Sequence, residues 1–266
     1  MIDFKFNDET AIVTGAAGGI GSAVSRGLIR SSARVALVDM QGERLDALAA
    51  DLPADRVMSV VADVREPSEV ERLVSAVCRR FGSVEMLFNN AGAATHTLPE
   101  DLTLEEWSAI LRLNLTGYFL MAQAVGRQMI AKKIPGRIVN TSSTAGSSAM
   151  GRGNFVYSIA KAGVLHFTRE LALEWGHYGI RVNAIQPSQV DAPSMRQWME
   201  ETSLDGETLG YKFLNGVPLN RLVTAEDIVG PVCFLLSSAS AMITGVGLPV
   251  DGGNLICNVV STVRHD

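Results

Sequence analysis

The chain has 266 residues, 47% of them apolar, and a formal net charge of −5. That length suits one α/β domain with a large core, and without a basic stripe the chain is not built to hold a polyanion, so no nucleic-acid partner is expected. No apolar run approaches the roughly 20 residues that cross a bilayer, and M-I-D-F-K-F-N-D-E lacks a basic segment followed by an apolar stretch, so the expectation is a soluble cytoplasmic protein without a membrane partner.

Along the chain, short β-rich apolar runs alternate with longer helical patterns, as in βαβ crossovers around a parallel sheet. Strands are expected at residues 10–14, 34–38, 56–61, 86–89, 137–141, 181–185 and 248–250. Helices are expected at 19–30, 42–50, 67–81, 103–132, 155–175 and 224–236. Pro67 opens its helix in the first turn, where a missing N–H costs nothing. The fold class is α/β: a Rossmann-type doubly wound parallel sheet of seven strands with helices on both faces. Residues 188–214 fit neither pattern and read as a long helical flap between the sixth and seventh strands; insertions of that length are usually functional. Cys78, Cys233 and Cys257 are odd in number and far apart, which points to buried thiols rather than to zinc or disulfides.

The first strand runs into T-G-A-A-G-G-I-G at Thr14 to Gly21, where Gly15, Gly19 and Gly21 lead through Ile20 into a helix. Glycine lets backbone N–H groups approach a pyrophosphate closely, and the helix N-terminus adds its partial positive charge. A plain turn would use the same glycines, but Asp39 closes the next strand, within the roughly 20-residue distance at which a carboxylate meets an adenosine ribose. Its carboxylate would accept from the ribose hydroxyls and repel a 2′-phosphate, so NAD is expected over NADP. Arg44, one turn further on, would offset part of that repulsion, while Met40 and Ala17 bring no cation.

Tyr157 and Lys161 stand four residues apart in Y-S-I-A-K, so on a helix the phenol and the ammonium share a face. A nearby cation lowers a tyrosine pKa from about 10 toward a range useful for proton transfer. Behind a dinucleotide turn, such a pair suggests hydride transfer with protonation at a carbinol or carbonyl. Tyr-x-x-x-Lys also occurs in ordinary helices, so the order and spacing of several motifs carry the argument.

Those motifs together resemble the short-chain dehydrogenases/reductases of the simple single-domain type, over residues 8–254. The matching segments are T-G-A-A-G-G-I-G, Asp39, A-D-V at Ala62 to Val64, N-N-A-G at Asn89 to Gly92, Asn114 in L-N-L-T-G, and Ser143 in V-N-T-S-S. Tyr157 with Lys161, R-V-N-A-I-Q-P, I-T-G and V-D-G-G follow. The resemblance implies one dinucleotide-binding and catalytic domain over residues 1–266, with a catalytic tetrad of Asn114, Ser143, Tyr157 and Lys161. It implies that Tyr157 exchanges a proton with a substrate oxygen held by Ser143. It also implies that Lys161 lowers the tyrosine pKa and holds the nicotinamide ribose, and that Asn114 holds a water joining Lys161 to solvent. Asp63 and Val64 are implied around adenine, Asn90, Ala91 and Gly92 along the ribose side, and Pro187 with Val190 at the carboxamide.

The expected reaction is hydride transfer between NAD and a secondary alcohol or ketone. An NADP-linked 3-oxoacyl-thioester reductase is the runner-up, opposed by Asp39. A catalytically silent dinucleotide-binding sensor or scaffold is the reading from another class, opposed by the joint retention of the four tetrad residues. The chain departs from the family pattern in three places. Ser143 and Tyr157 enclose thirteen residues where the family leaves twelve, which makes Ser142 a rival to Ser143. The family's P-G turn is Pro187-Ser188, and the threonine that often binds the carboxamide is Ala192.

His96, Arg152, Asn154, Gln189, Asp191, Arg196 and Trp198 lie in segments expected to rim the pocket, and their polarity suggests a polyol, a sugar or a hydroxy acid. Met195 and Met199 beside Trp198 would form an apolar face of the flap, read as a lid over the substrate. Without a partner histidine or cysteine at ligand spacing for His96, no metal is expected. A homo-oligomer, most simply a tetramer, is expected from the resemblance and from Leu165, Leu171 or Leu173, which should face outward opposite Tyr157 and Lys161.

Overall fold

In a computed structural model, which describes residues 4–151, 153–191, 214 and 216–257, the apolar runs become seven parallel strands. These are β1 (Thr10–Thr14), β2 (Arg34–Asp39), β3 (Val57–Val61), β4 (Met86–Asn89), β5 (Arg137–Thr141), β6 (Arg181–Pro187) and β7 (Gly247–Val250), in the order β3-β2-β1-β4-β5-β6-β7. Ile12 sits between Ala36 of β2 and Leu87 of β4, which fixes the central register. The helices are α1 (Gly19–Arg30), α2 (Gly42–Ala50), α3 (Pro67–Phe81), α4 (Leu104–Leu111), α5 (Gly117–Lys132), α6 (Phe155–Trp175) and α7 (Ala225–Leu236).

Every residue of β1 and β4 is buried because helices cover both faces. Val13, Leu28, Leu37, Ile228 and Val232 form one core layer, while Ile12, Leu73, Leu87, Met121 and Val182 form the other. Helix α3 shows how the sequence makes such a layer: Val70, Leu73, Val74 and Val77 recur at helical spacing and are all buried. Pro67 starts it, and Gly82 at φ 94° ends it. At α7, Thr224 and Asp227 form a reciprocal capping box. The chain leaves β1 and β4 in divergent directions, and the crevice between their C-terminal ends is the place where such sheets bind ligands.

Two expectations need correcting. The helix expected over residues 103–132 is not one α-helix: α4 stops at Leu111, Arg112–Thr116 winds as a π-turn, and α5 begins at Gly117. The wider turn places Asn114 fully inside, where its Nδ2 donates to the carbonyls of Ala93 (2.8 Å) and Ile110 (3.1 Å). Apolar periodicity does not register such an insertion, yet π-turns inside α-helices gather at functional sites. On α6, Leu165 is buried rather than exposed, Leu171 is half-buried, and only Leu173 stands outside at 78% exposure.

Strand β6 runs past the expected end because Gln186 and Pro187 pair with Pro249 and Val250. Just beyond it Val190 bridges to Val223. The remainder of the expected lid, residues 192–213, lies outside the described residues, as do Arg152, Ala192, Met195, Arg196, Trp198 and Met199. No helix among the described residues is long and apolar enough to cross a membrane.

Candidate active site

The crevice begins at the glycines. Gly15 has φ +65°, and a Cβ there would lie 2.9 Å from the Ala91 Cα; a Cβ on Gly21 would lie 2.1 Å from the Gly15 carbonyl oxygen. The turn is therefore closed so tightly that only glycine fits. Helix α1 starts at Gly19 behind Gly18, with no side-chain cap and no acidic residue in its first turn, so its first N–H groups face the crevice without an internal partner. The Asp39 carboxylate accepts from the Ala17 N–H and from the Gln41 N–H, both at 3.1 Å, which aims it across this turn. Arg44 is engaged by the Gln41 side chain at 3.0 Å.

Neighbouring strand ends add further walls. Asp63 is gripped by Arg65, whose Nε lies 2.9 Å from Oδ1 and whose Nη2 lies 2.7 Å from Oδ2; the guanidinium holds the Asp63 carboxyl below its usual range. The same Arg65 reaches the Met40 sulfur at 3.8 Å, joining the loops after β2 and β3. The Val64 side chain is buried. Asn90 donates from its side chain to the Thr14 carbonyl (3.1 Å), and the Asn90 and Ala91 N–H groups donate to the Thr14 hydroxyl, stitching β4 to β1. A Cβ on Gly92 would lie 2.7 Å from Asn114 Oδ1, a buried oxygen with no hydrogen-bond partner. Bare helix N–H groups, a cradle that any Cβ would fill and a carboxylate at the far wall fit a dinucleotide.

On the other side, Tyr157 and Lys161 lie one turn apart on α6. The Ser143 hydroxyl hydrogen-bonds the Tyr157 hydroxyl; it also reaches the Pro187 carbonyl at 3.4 Å and accepts from the Ala145 N–H at 3.1 Å. Ser142 points the other way, donating to the Lys161 main-chain carbonyl at 2.8 Å. Of the rival serines it is Ser143 that meets Tyr157. Burial raises the Tyr157 pKa, and the downward pull on it comes from Ser143. The expected lowering by Lys161 is not what the geometry delivers. Its Nζ donates to the Thr141 carbonyl at 2.8 Å and to the Tyr118 hydroxyl at 3.3 Å, and lies 5.7 Å from the centre of the Tyr157 ring. With no carboxylate beside it among the described residues, burial pushes the Lys161 ammonium down from 10.5 to about 7. A hydroxyl pair beside a buried amine of near-neutral pKa can hold a substrate oxygen and move its proton.

A family model described as enoyl-(acyl carrier protein) reductase matches residues 15–254. The chain belongs to the short-chain dehydrogenase/reductase superfamily. It is 37% identical over 256 residues to a D-threitol dehydrogenase of Mycolicibacterium smegmatis, covering 96% of this chain and 95% of that one. It is 34% identical over 255 residues to an NAD-dependent glycerol dehydrogenase of Listeria innocua, covering 96% of each. A crystal structure of an NAD+-bound xylitol dehydrogenase superposes with a TM-score of 0.88 at 34% identity, covering 94% of this chain and 100% of that one.

Two of the segments expected to rim the pocket meet. A Cβ on Gly153 would lie 2.0 Å from the His96 carbonyl oxygen, so the loop before α6 lies directly against the loop after β4. That contact brings His96 close to the segment that carries Asn154, while Gln189 and Asp191 lie beside Val223, held by main-chain bonds of 3.1 and 2.8 Å. Tyr118 is the residue that reading the sequence missed. Its only signal there is a position four residues after Asn114, which an ordinary core tyrosine would share.

Proposed function

We propose that this chain is an NAD-dependent dehydrogenase that oxidises a secondary alcohol of a polar substrate, a polyol first among them, and reduces the corresponding ketone. The single observation that carries this is the Ser143–Tyr157 hydroxyl pair beside Lys161, opening onto a glycine cradle with Asp39 at its far wall. The names of the relatives, threitol and glycerol dehydrogenases and an NAD+-bound xylitol dehydrogenase, support the substrate class and the cofactor.

On this reading Gly15, Gly19, Ile20 and Gly21 hold the pyrophosphate, Asp39 the adenosine ribose, and Asp63 with Val64 the adenine. Asn90, Ala91, Gly92, Tyr157 and Lys161 line the ribose side of the nicotinamide, and Pro187 with Val190 the carboxamide. NAD, when bound, supplies the hydride acceptor. Ser143 donates to the substrate oxygen, Tyr157 takes its proton, and the Lys161 ammonium holds the nicotinamide ribose; Asn114 connects Lys161 toward solvent. Residues 188–214 serve as the substrate lid. A second reading, an NADP-linked 3-oxoacyl-thioester reductase, draws support from 37% identity over 250 residues to a 3-oxoacyl-[acyl-carrier-protein] reductase of Synechocystis; Asp39 stands against it.

We further propose a cytoplasmic homotetramer. Phe119, Phe155, Ile159 and Leu173 are 40–78% exposed on α5 and α6, a surface that a partner would cover, and all three cysteines are unpaired, as suits a reducing compartment.

The test is NAD(P)H absorbance with the purified chain against D-threitol, glycerol, xylitol, a hydroxy acid and a 3-oxoacyl thioester. Turnover of a polyol with NAD is the expected result. Turnover of the thioester alone, with NADPH, would replace the reading by its rival, and no turnover with any alcohol or ketone would overturn both.

A further inference from the structure

We infer that Tyr118 is a positioning residue for Lys161: with the Thr141 carbonyl, its hydroxyl holds the buried ammonium in place and charged. The inference deepens the dehydrogenase reading and rests on it for its purpose, since it supplies the anchor for the ammonium that holds the nicotinamide ribose.

A buried ammonium has three donors to satisfy and, among the described residues, no anion beside it. Two donors are spoken for, by the Thr141 carbonyl at 2.8 Å and the Tyr118 hydroxyl at 3.3 Å. The Tyr118 ring adds its face, with Nζ 4.9 Å from its centre. Tyr118 is itself locked: it is 1% exposed, its hydroxyl donates to the Thr141 carbonyl at 3.2 Å, and its main-chain carbonyl accepts from Asn89 at 3.2 Å. With its proton committed to Thr141, the phenol oxygen can only accept from Lys161. The π-turn ends one residue before α5, and there Tyr118 points inward while Phe119 is 44% exposed.

Among the described residues, the groups facing Lys161 are neutral. Tyr118 comes from α5, Thr141 from β5, and Asn114, whose Oδ1 lies with Nζ beside Gly92, from the π-turn; Tyr157 lies on its own helix. Burial is the cause of the lowered Lys161 pKa, with no charged neighbour contributing. Burial also keeps the Tyr118 pKa well above 10, so Tyr118 stays a neutral phenol through the working range. The second acceptor therefore decides how much of the ammonium survives near neutral pH. A plain core tyrosine would fill space equally well as phenylalanine; a positioning tyrosine would not.

The experiment is a pH titration of the chain labelled with 13Cε-lysine, with the Lys161 signal among the five lysines assigned by Lys161→Met. In Tyr118→Phe the Lys161 midpoint should fall by about one unit, the scale of a lost hydrogen bond to a charged group, and NAD affinity measured above that midpoint should weaken about tenfold while affinity well below it stays unchanged. An unmoved midpoint in a folded variant overturns the inference. Should Tyr118→Phe fail to fold, the native chain labelled with 13Cζ-tyrosine decides: the Tyr118 signal must shift with the same midpoint as Lys161, and a signal that ignores that midpoint overturns it equally. A chain inactive on every alcohol whose Lys161 midpoint still moves would remove the dehydrogenase reading alone. An active chain whose midpoint stays put would remove the role of Tyr118 alone.

Discussion

Ser142 donates its hydroxyl to the main-chain carbonyl of Lys161 at 2.8 Å, while its neighbour Ser143 faces Tyr157. Two adjacent serines in an extended segment point in opposite directions, one toward the scaffold and one toward the crevice. Ser142→Ala should lower stability by about 1–2 kcal/mol, because it orphans a buried bond that ties the end of β5 to α6, and should leave turnover at saturating substrate within a few-fold. Ser143→Ala should do the reverse, reducing turnover about a hundredfold or more with little change in melting. Paired denaturation and kinetic measurements on both variants check this, and a matching loss of turnover in Ser142→Ala would reverse the assignment.

Tyr157→Phe preserves the ring and removes the proton carrier. Turnover should fall by about two to four orders of magnitude, with NAD affinity by calorimetry nearly unchanged. Near-normal turnover would place the proton transfer elsewhere.

Asp39 is oriented by two main-chain N–H groups, so its charge is held over the place assigned to the ribose. Asp39→Ala should move the ratio of kcat/KM for NAD against NADP toward NADP by about tenfold or more, which corresponds to about 1.4 kcal/mol. An unchanged ratio would detach Asp39 from the ribose.

A methyl group on Gly21 would press into the Gly15 carbonyl at 2.1 Å, a backbone atom that cannot swing aside. Gly21→Ala should therefore distort the cradle, costing about 1–3 kcal/mol of stability and weakening NAD binding far more than substrate-independent folding. Wild-type NAD affinity in this variant would mean that the pyrophosphate does not sit there.

Lys161 works against stability at neutral pH. Its folded-state pKa of about 7 lies below the ordinary 10.5, so between those values the unfolded chain binds more protons and stability rises with pH. The penalty is full below the lower value and gone above the upper one. Lys161→Met should raise stability by roughly 3–4 kcal/mol near neutrality, with the gain shrinking as pH climbs through that window, and should abolish turnover and weaken NAD binding. Urea denaturation across the window checks the slope; a gain independent of pH would contradict the buried charge.

Periodicity and turn chemistry alone determined the seven strands, the placement of α1, α2, α3 and α6 to the residue, and the glycine turn with Asp39 one strand away, because each of these is written in side chains close together in the chain. The pairing of Tyr157 with Lys161 was equally legible, being one helical turn. What reached across the fold was not. The π-turn that carries Asn114 inward is favoured by bonds to Ala93 and by packing of Gly117 on Val64, contacts with the neighbouring strand ends. Which serine faces Tyr157, where the Lys161 ammonium points, and the presence of Tyr118 beside it depend on how β5, α5 and α6 converge. A hydrogen bond or a desolvated charge belongs to the space between elements, and the linear spacing of residues fixes only the faces that elements offer, not the partners they meet.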